Sequence, residues 1–111
     1  MKIPEEGKLL RIFIGESDRH DGQPLHEAIM HRAKREGLAG CTAVKGFEGF
    51  GAASRIHTTK ILRLSEDLPI VIEIVDAAEK IDQFLIPLNE MVKEGLVTVE
   101  NVKVLMYRHN K

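Results

Sequence analysis

The sequence predicts an α+β fold in which two helices cover one face of an antiparallel sheet. Three observations carry that expectation. Apolar residues alternate with period two in three segments, a fourth, rich in small residues, also reads as strand, and two others repeat with helical period, in the order strand, helix, strand, strand, helix, strand. Two βαβ units in this order form the ferredoxin-like βαββαβ sandwich. The whole chain, residues 1–111, has the length of one domain.

Residues 8–15 read as the first strand, with Leu10, Ile12 and Ile14 on one side and Leu9, Arg11 and Phe13 on the other. Residues 16–22 are polar and rich in turn formers. Pro24 suits a first helical turn, where its missing N–H lacks an intrahelical partner anyway. Leu25, Ala28, Ile29 and Ala33 mark one helical face and Gly37 a natural stop, so the first helix is predicted over 24–36.

Residues 39–45 read as a small-residue second strand containing Cys41 as a buried small hydrophobe. Ile56 and residues 61–64 read as strand extensions flanking a mobile loop. In residues 68–75, Ile70, Ile72 and Ile74 share one face, with Val71, Glu73 and Val75 on the other. Pro69 lacks a ladder donor and belongs at the strand entrance or a sheet edge. Asp76 and Glu79 have capping-box spacing ahead of Ile81, Phe84, Leu85, Leu88, Met91 and Val92. Pro87 should kink this second helix and Gly95 should end it. Val97 and Val99 alternate in one parity and Val102, Val104 and Met106 in the other, which predicts a turn or bulge at Glu100 and Asn101.

Apolar residues on both strand faces leave one sheet face without cover from the chain itself. A homotrimer is the expected solution. Lys and Arg total 16 against 17 Asp and Glu, a net charge of −1, which lacks the basic excess of a nucleic-acid binder. The single cysteine, Cys41, excludes an internal disulfide framework and a cysteine zinc cluster. No run approaches eighteen apolar residues, and residues 1–8 lack a signal-peptide core, so a cytoplasmic location is expected.

The segment most suggestive of chemistry is 44–51, with Gly46, Gly49 and Gly51 after a strand. Glycines let backbone N–H groups come close to an anion. Lys45 and Arg55 would add positive charge for a phosphate, and Phe47 or Phe50 would lie against a base. The same glycines also suit a bulge or hairpin that holds no ligand.

Val44, Lys45, Gly46 and Phe47 followed by Gly49 are similar to the approach to the T-loop of PII signalling proteins. Residues 37–40, 46–51 and 65–73 resemble the PII-like family catalogued as domain-of-unknown-function family 190 (DUF190, UPF0166), in matching element order from Lys8 to Tyr107. The resemblance implies a ferredoxin-like trimer whose inter-subunit clefts hold an adenine nucleotide as a regulatory ligand, with no cofactor required. It implies that Lys45, Gly46, Phe47, Glu48, Gly49, Phe50 and Gly51 surround the nucleotide. Residues 52–60 would then be the loop that changes conformation and meets a partner, with a membrane transporter or channel as the kind of partner. It also makes Arg108 a cation for phosphate, and Ser65 and Asp67 contacts for ribose or base. Ordinary turn and strand-start chemistry equally explains Ser65 and Asp67.

The chain departs from PII proteins in two places. The T-loop equivalent is short and has no tyrosine to be nucleotidylated, and residues 94–98 lack the lysine-bearing glycine loop that grips polyphosphate. Fewer cations favour AMP or ADP over ATP.

Five histidines raise a metal reading, as in copper-tolerance trimers of the CutA type. His26 and His31 are spaced poorly for one helical face, and His20 and His57 read as loop residues, so no metal site is expected. No nucleophile has an obvious base, and Glu48 and Glu73 form a pair only if folding unites them. The expected function is therefore a non-enzymatic nucleotide sensor, with a metal-binding trimer or a ligand-free structural oligomer as alternatives.

Overall fold

A computed structural model of the chain describes residues 5–50, 57–58 and 67–109. In chain order it comprises β1 (Glu6–Gly15), β2 (Arg19–His20), β3 (Gln23–Pro24), α1 (Leu25–Arg35), β4 (Thr42–Lys45), β5 (Glu48–Gly49), β6 (His57–Thr58), β7 (Pro69–Asp76), α2 (Ala78–Met91) and β8 (Leu96–Lys103). The main sheet has the order β4-β7-β1-β8 with every pairing antiparallel, which is the expected ferredoxin-like arrangement.

Alternation decides which side is the core. Leu10, Ile12 and Ile14 of β1 stand level with Ile74, Ile72 and Ile70 of β7, and all six are buried. Against them pack Leu25, Ala28, Ile29 and Ala33 of α1 and Ile81, Phe84, Leu88 and Met91 of α2. Each large side chain removed from water in this way contributes about 1.5–3 kcal/mol. The opposite face carries Leu9, Arg11 and Phe13, with Val71, Glu73 and Val75, and among the described residues no helix covers it.

Helix α1 ends as expected at Gly37, whose φ of 81° allows the Leu38 N–H to reach the Ala33 carbonyl at 3.1 Å. Pro24 precedes the helix as the last residue of β3 rather than opening it. The polar stretch before it is a short hairpin, β2–β3, turned by Asp21 (φ 50°) and Gly22 (φ 82°).

Four other expectations are corrected. Strand β4 begins only at Thr42, leaving Cys41 before it and half-buried. Helix α2 stops at Met91, because Val92 adopts extended dihedrals (φ −94°, ψ 105°). Gly95 instead starts the approach to β8, with φ 149° and its Cα so close to β1 that a Cβ would stand 2.6 Å from the Phe13 carbonyl oxygen. Strand β8 pairs with β1 without interruption from Leu96 to Lys103, so neither a turn nor a bulge exists at Glu100 and Asn101. The parity change has another cause: Val97 and Val99 stand level with Ile12 and Leu10 on the helix side, while Val102 stands level with Gly7 on the uncovered side.

Asp76 does not bond to the N3 position of α2 as a capping-box residue would. It is 3% exposed, and its carboxylate accepts from the Ala77 N–H at 2.6 Å and the Ala39 N–H at 2.9 Å. No helix of the described residues is long and apolar enough to cross a membrane.

Candidate functional site

The expected site lies at the end of the sheet where β1 and β4 finish and β7 begins. The β7 register places Pro69 opposite Gly15 and Ile70 opposite both Ile14 and Lys45. The Gly46 N–H extends the ladder one step, donating to the Pro69 carbonyl at 2.7 Å. A Cβ at Gly46 would stand 2.8 Å from Pro69 Cγ, and one at Gly49 would stand 3.1 Å from the same atom. The proline ring therefore stands in the way of a Cβ at Gly46 and crowds one at Gly49, and neither glycine sits at positive φ. Glu48 and Gly49 form β5, paired with Thr58 and His57 of β6.

This anchoring leaves Phe47 and Phe50 facing outward, 67% and 72% exposed. Lys45 falls on the helix-facing side of the sheet rim. Its ammonium meets the Glu16 carboxylate at 2.8 Å. Asp67 is likewise occupied, accepting from the Ser17 N–H at 2.8 Å, with its other oxygen 2.6 Å from where a Gly15 Cβ would be. Asp18 accepts from the Gly15 N–H at 3.0 Å. Three carboxylates thus surround the turn that leaves β1, and one of them holds Lys45.

Arg108 is elsewhere. Strand β8 runs antiparallel to β1, so its end, Lys103, lies opposite Glu6. From there the Tyr107 hydroxyl donates to the Ala39 carbonyl at 2.9 Å. The tail that carries Arg108 is therefore held at the entry to β4, whereas Lys45 is the last residue of that strand, opposite Ile70. Gly51, Arg55 and Ser65 lie outside the described residues, as do most of the expected loop and the strand extensions at Ile56 and 61–64. Glu48 and Glu73 do not meet, since Glu73 sits level with Arg11 in mid-sheet.

Arg11 is the main charged feature of the uncovered face. Its Nε donates to Glu73 at 2.8 Å and its Nη1 to Glu100 at 2.7 Å. The bond to Glu73, with Glu100 adding to it, raises the guanidinium pKa above its ordinary value despite partial burial. Apolar residues flank this ladder: Val44, Val71, Phe13 and Leu96 lie in one row, and Val75 and Leu9 on its other side.

A cleft of about 320 Å³ opens beside that face, between the segment before β4 (Ala39, Gly40, Cys41) and the tail (Val104, Met106, Tyr107). None of the expected site residues lines it. Sequence reasoning missed it because 39–41 was read as strand, whereas there the chain turns around the Asp76 carboxylate. It also missed Glu16 and Pro69 as partners of Lys45 and the glycines. Among the described residues no group of three or more His, Cys, Asp or Glu comes together as a metal site.

The DUF190 family model, described as Uncharacterized ACR, COG1993, matches residues 7–104. The chain belongs to the DUF190 family. It is 40% identical over 101 residues to a UPF0166 protein of Aquifex aeolicus, covering 88% of this chain and 92% of that one. Among solved structures, this DUF190 chain is similar to CPII of Thiomonas intermedia K12, a nitrogen regulatory PII-like protein bound to ADP, AMP and bicarbonate. That match has a TM-score of 0.63 and 20% identity, and covers 89% of this chain and 88% of that one. A putative PII-like signaling protein of Thermus thermophilus matches with a TM-score of 0.64 and 23% identity, covering 89% of each chain. These likenesses establish that the DUF190 chain has the PII-like fold.

Proposed function

We propose that the protein is a PII-like sensor that binds an adenine nucleotide, AMP or ADP in preference to ATP, between the subunits of a homotrimer. It acts without catalysis, regulating a partner protein through residues 52–60. The observation that carries this reading is that Lys45 and the tail bearing Arg108 lie at opposite ends of β4 within one chain. A phosphate site using both needs the Lys45–Phe50 end from one copy and the Arg108 end from another. The uncovered sheet face supports such an assembly, since apolar rows flank an internally paired charge ladder. The nucleotide bound to CPII, whose fold this chain shares, supports the choice of ligand.

The test is thermal unfolding of the purified protein against AMP, ADP, ATP and cyclic AMP at about 1 mM each. A ligand binding with Kd near 10 µM stabilises each site by about 2.7 kcal/mol, which raises Tm by several degrees. The expected result is a selective shift with AMP or ADP. The absence of a shift with all four would overturn the nucleotide reading.

A further inference from the structure

We infer that Glu16 sets the phosphate specificity of the nucleotide site, favouring the ligand with fewest phosphate charges. The inference rests on the nucleotide reading above and names the residue that tunes it. Its basis is the 2.8 Å ion pair between Lys45 and Glu16.

The position of Glu16 is held by backbone. Its N–H donates to the Leu68 carbonyl at 2.8 Å, directly after the end of β1. Ser17 and Asp67 tie the same turn on the other side. The backbone beneath the carboxylate is therefore placed independently of Lys45, which keeps Glu16 within reach of the ammonium when a ligand arrives. The Lys45 backbone is held too, as the last residue of β4 in register with Ile70.

A phosphate approaching Lys45 must share that ammonium with Glu16 or displace it. Each further negative charge then meets a carboxylate anchored a few ångströms away. Asp18 and Asp67 are also close, but each already accepts from a backbone N–H, at Gly15 and Ser17. Glu16 is the member of this group whose partner is the cation the ligand needs. Replacing it releases the lysine and removes one repulsion without touching a backbone hydrogen bond.

The experiment is direct binding of AMP, ADP and ATP, without magnesium, to the unaltered protein and to Glu16→Gln and Glu16→Lys. Repulsion across ~6 Å of water corresponds to about threefold in affinity for each added charge. Glu16→Gln is therefore expected to raise the ADP:AMP affinity ratio about threefold and the ATP:AMP ratio about tenfold. Glu16→Lys should raise both further, in the order Glu, Gln, Lys. Such a graded response reports charge, which a merely structural role would not produce. Thermal unfolding without ligand checks that both variants fold, and either folded variant suffices to read the change.

AMP binding by the unaltered protein with ratios unchanged in the variants would overturn the role of Glu16 alone. If the unaltered protein binds none of the three, the nucleotide reading itself falls, and this inference with it.

Discussion

Asp76 and Ala39 are joined by a 2.9 Å hydrogen bond from the Ala39 N–H to a carboxylate that is almost completely buried. The second oxygen of that carboxylate accepts from the Ala77 N–H. One side chain thereby connects the end of β7, the start of α2 and the chain leaving α1. Ala39 also receives the Tyr107 hydroxyl on its carbonyl, so the tail is fastened to the same point.

Asp76→Ala leaves two donors without partners in a place that water reaches poorly. The expected loss of stability is about 2–4 kcal/mol, from the cost of unsatisfied buried donors. Asp76→Asn keeps one accepting oxygen and should lose less. Urea denaturation of both variants measures this, and a loss below about 1 kcal/mol for the alanine would show that water replaces the carboxylate.

Gly46 and Pro69 form a second junction. Gly46→Val drives a branched side chain into the Pro69 ring and strains the bond from the Gly46 N–H to the Pro69 carbonyl. The expected cost is about 1–3 kcal/mol, typical of overpacking. On the nucleotide reading, ligand affinity falls along with it. Gly46→Ala combined with Pro69→Ala removes the clashing ring carbons and should recover much of the stability lost by Gly46→Ala alone. Additive losses in that double variant would mean that the ring is not what excludes a Cβ at residue 46.

Periodicity made the sheet and helices legible because burial here follows strict alternation. Ile70, Ile72 and Ile74 face the helices, and Val71, Glu73 and Val75 do not. Local patterns failed where the reason was not local. Val92 continues the apolar series of α2 and still packs against the core, but does so from an extended backbone, so its spacing could not reveal the helix end. Val102 breaks the local parity, yet its pairing with β1 runs on unbroken and sets it opposite Gly7 on the uncovered face. In the candidate site the glycine pattern was visible and its physical demand was not, because Pro69 approaches from a different strand. The Lys45–Glu16 pair was equally hidden, since β7 lies between the strands that carry them.

Cys41 provides a test by titration. Burial pushes its thiol up from the ordinary value of 9.0, so the folded chain favours the protonated form. The sign follows directly: this contribution to stability is complete below the unfolded value and is lost as pH rises through the folded one. Cys41→Ala should therefore show a flatter fall in stability than the unaltered protein between about pH 8 and 10. Alkylation by iodoacetamide should be slower in the folded protein than in urea. Equal alkylation rates would show that the thiol is as exposed in the fold as out of it.

Arg11 tests the assembly. It lies between Glu73 and Glu100 on the sheet face proposed to meet other copies, and the hydrogen bond to Glu73 further favours its charged form. Arg11→Met removes the cation and leaves two carboxylates facing one another on a surface that association would dehydrate. Charges left unpaired in an interface are strongly unfavourable. The expected outcome is a shift from trimer to monomer in sedimentation velocity at micromolar concentration, with far-ultraviolet circular dichroism unchanged. Adding Glu73→Gln and Glu100→Gln to Arg11→Met removes the charges that the variant stranded and should restore association. A variant that stays trimeric would locate the contacts between copies away from this face. A monomeric unaltered protein would remove the assembly on which the inter-subunit site depends.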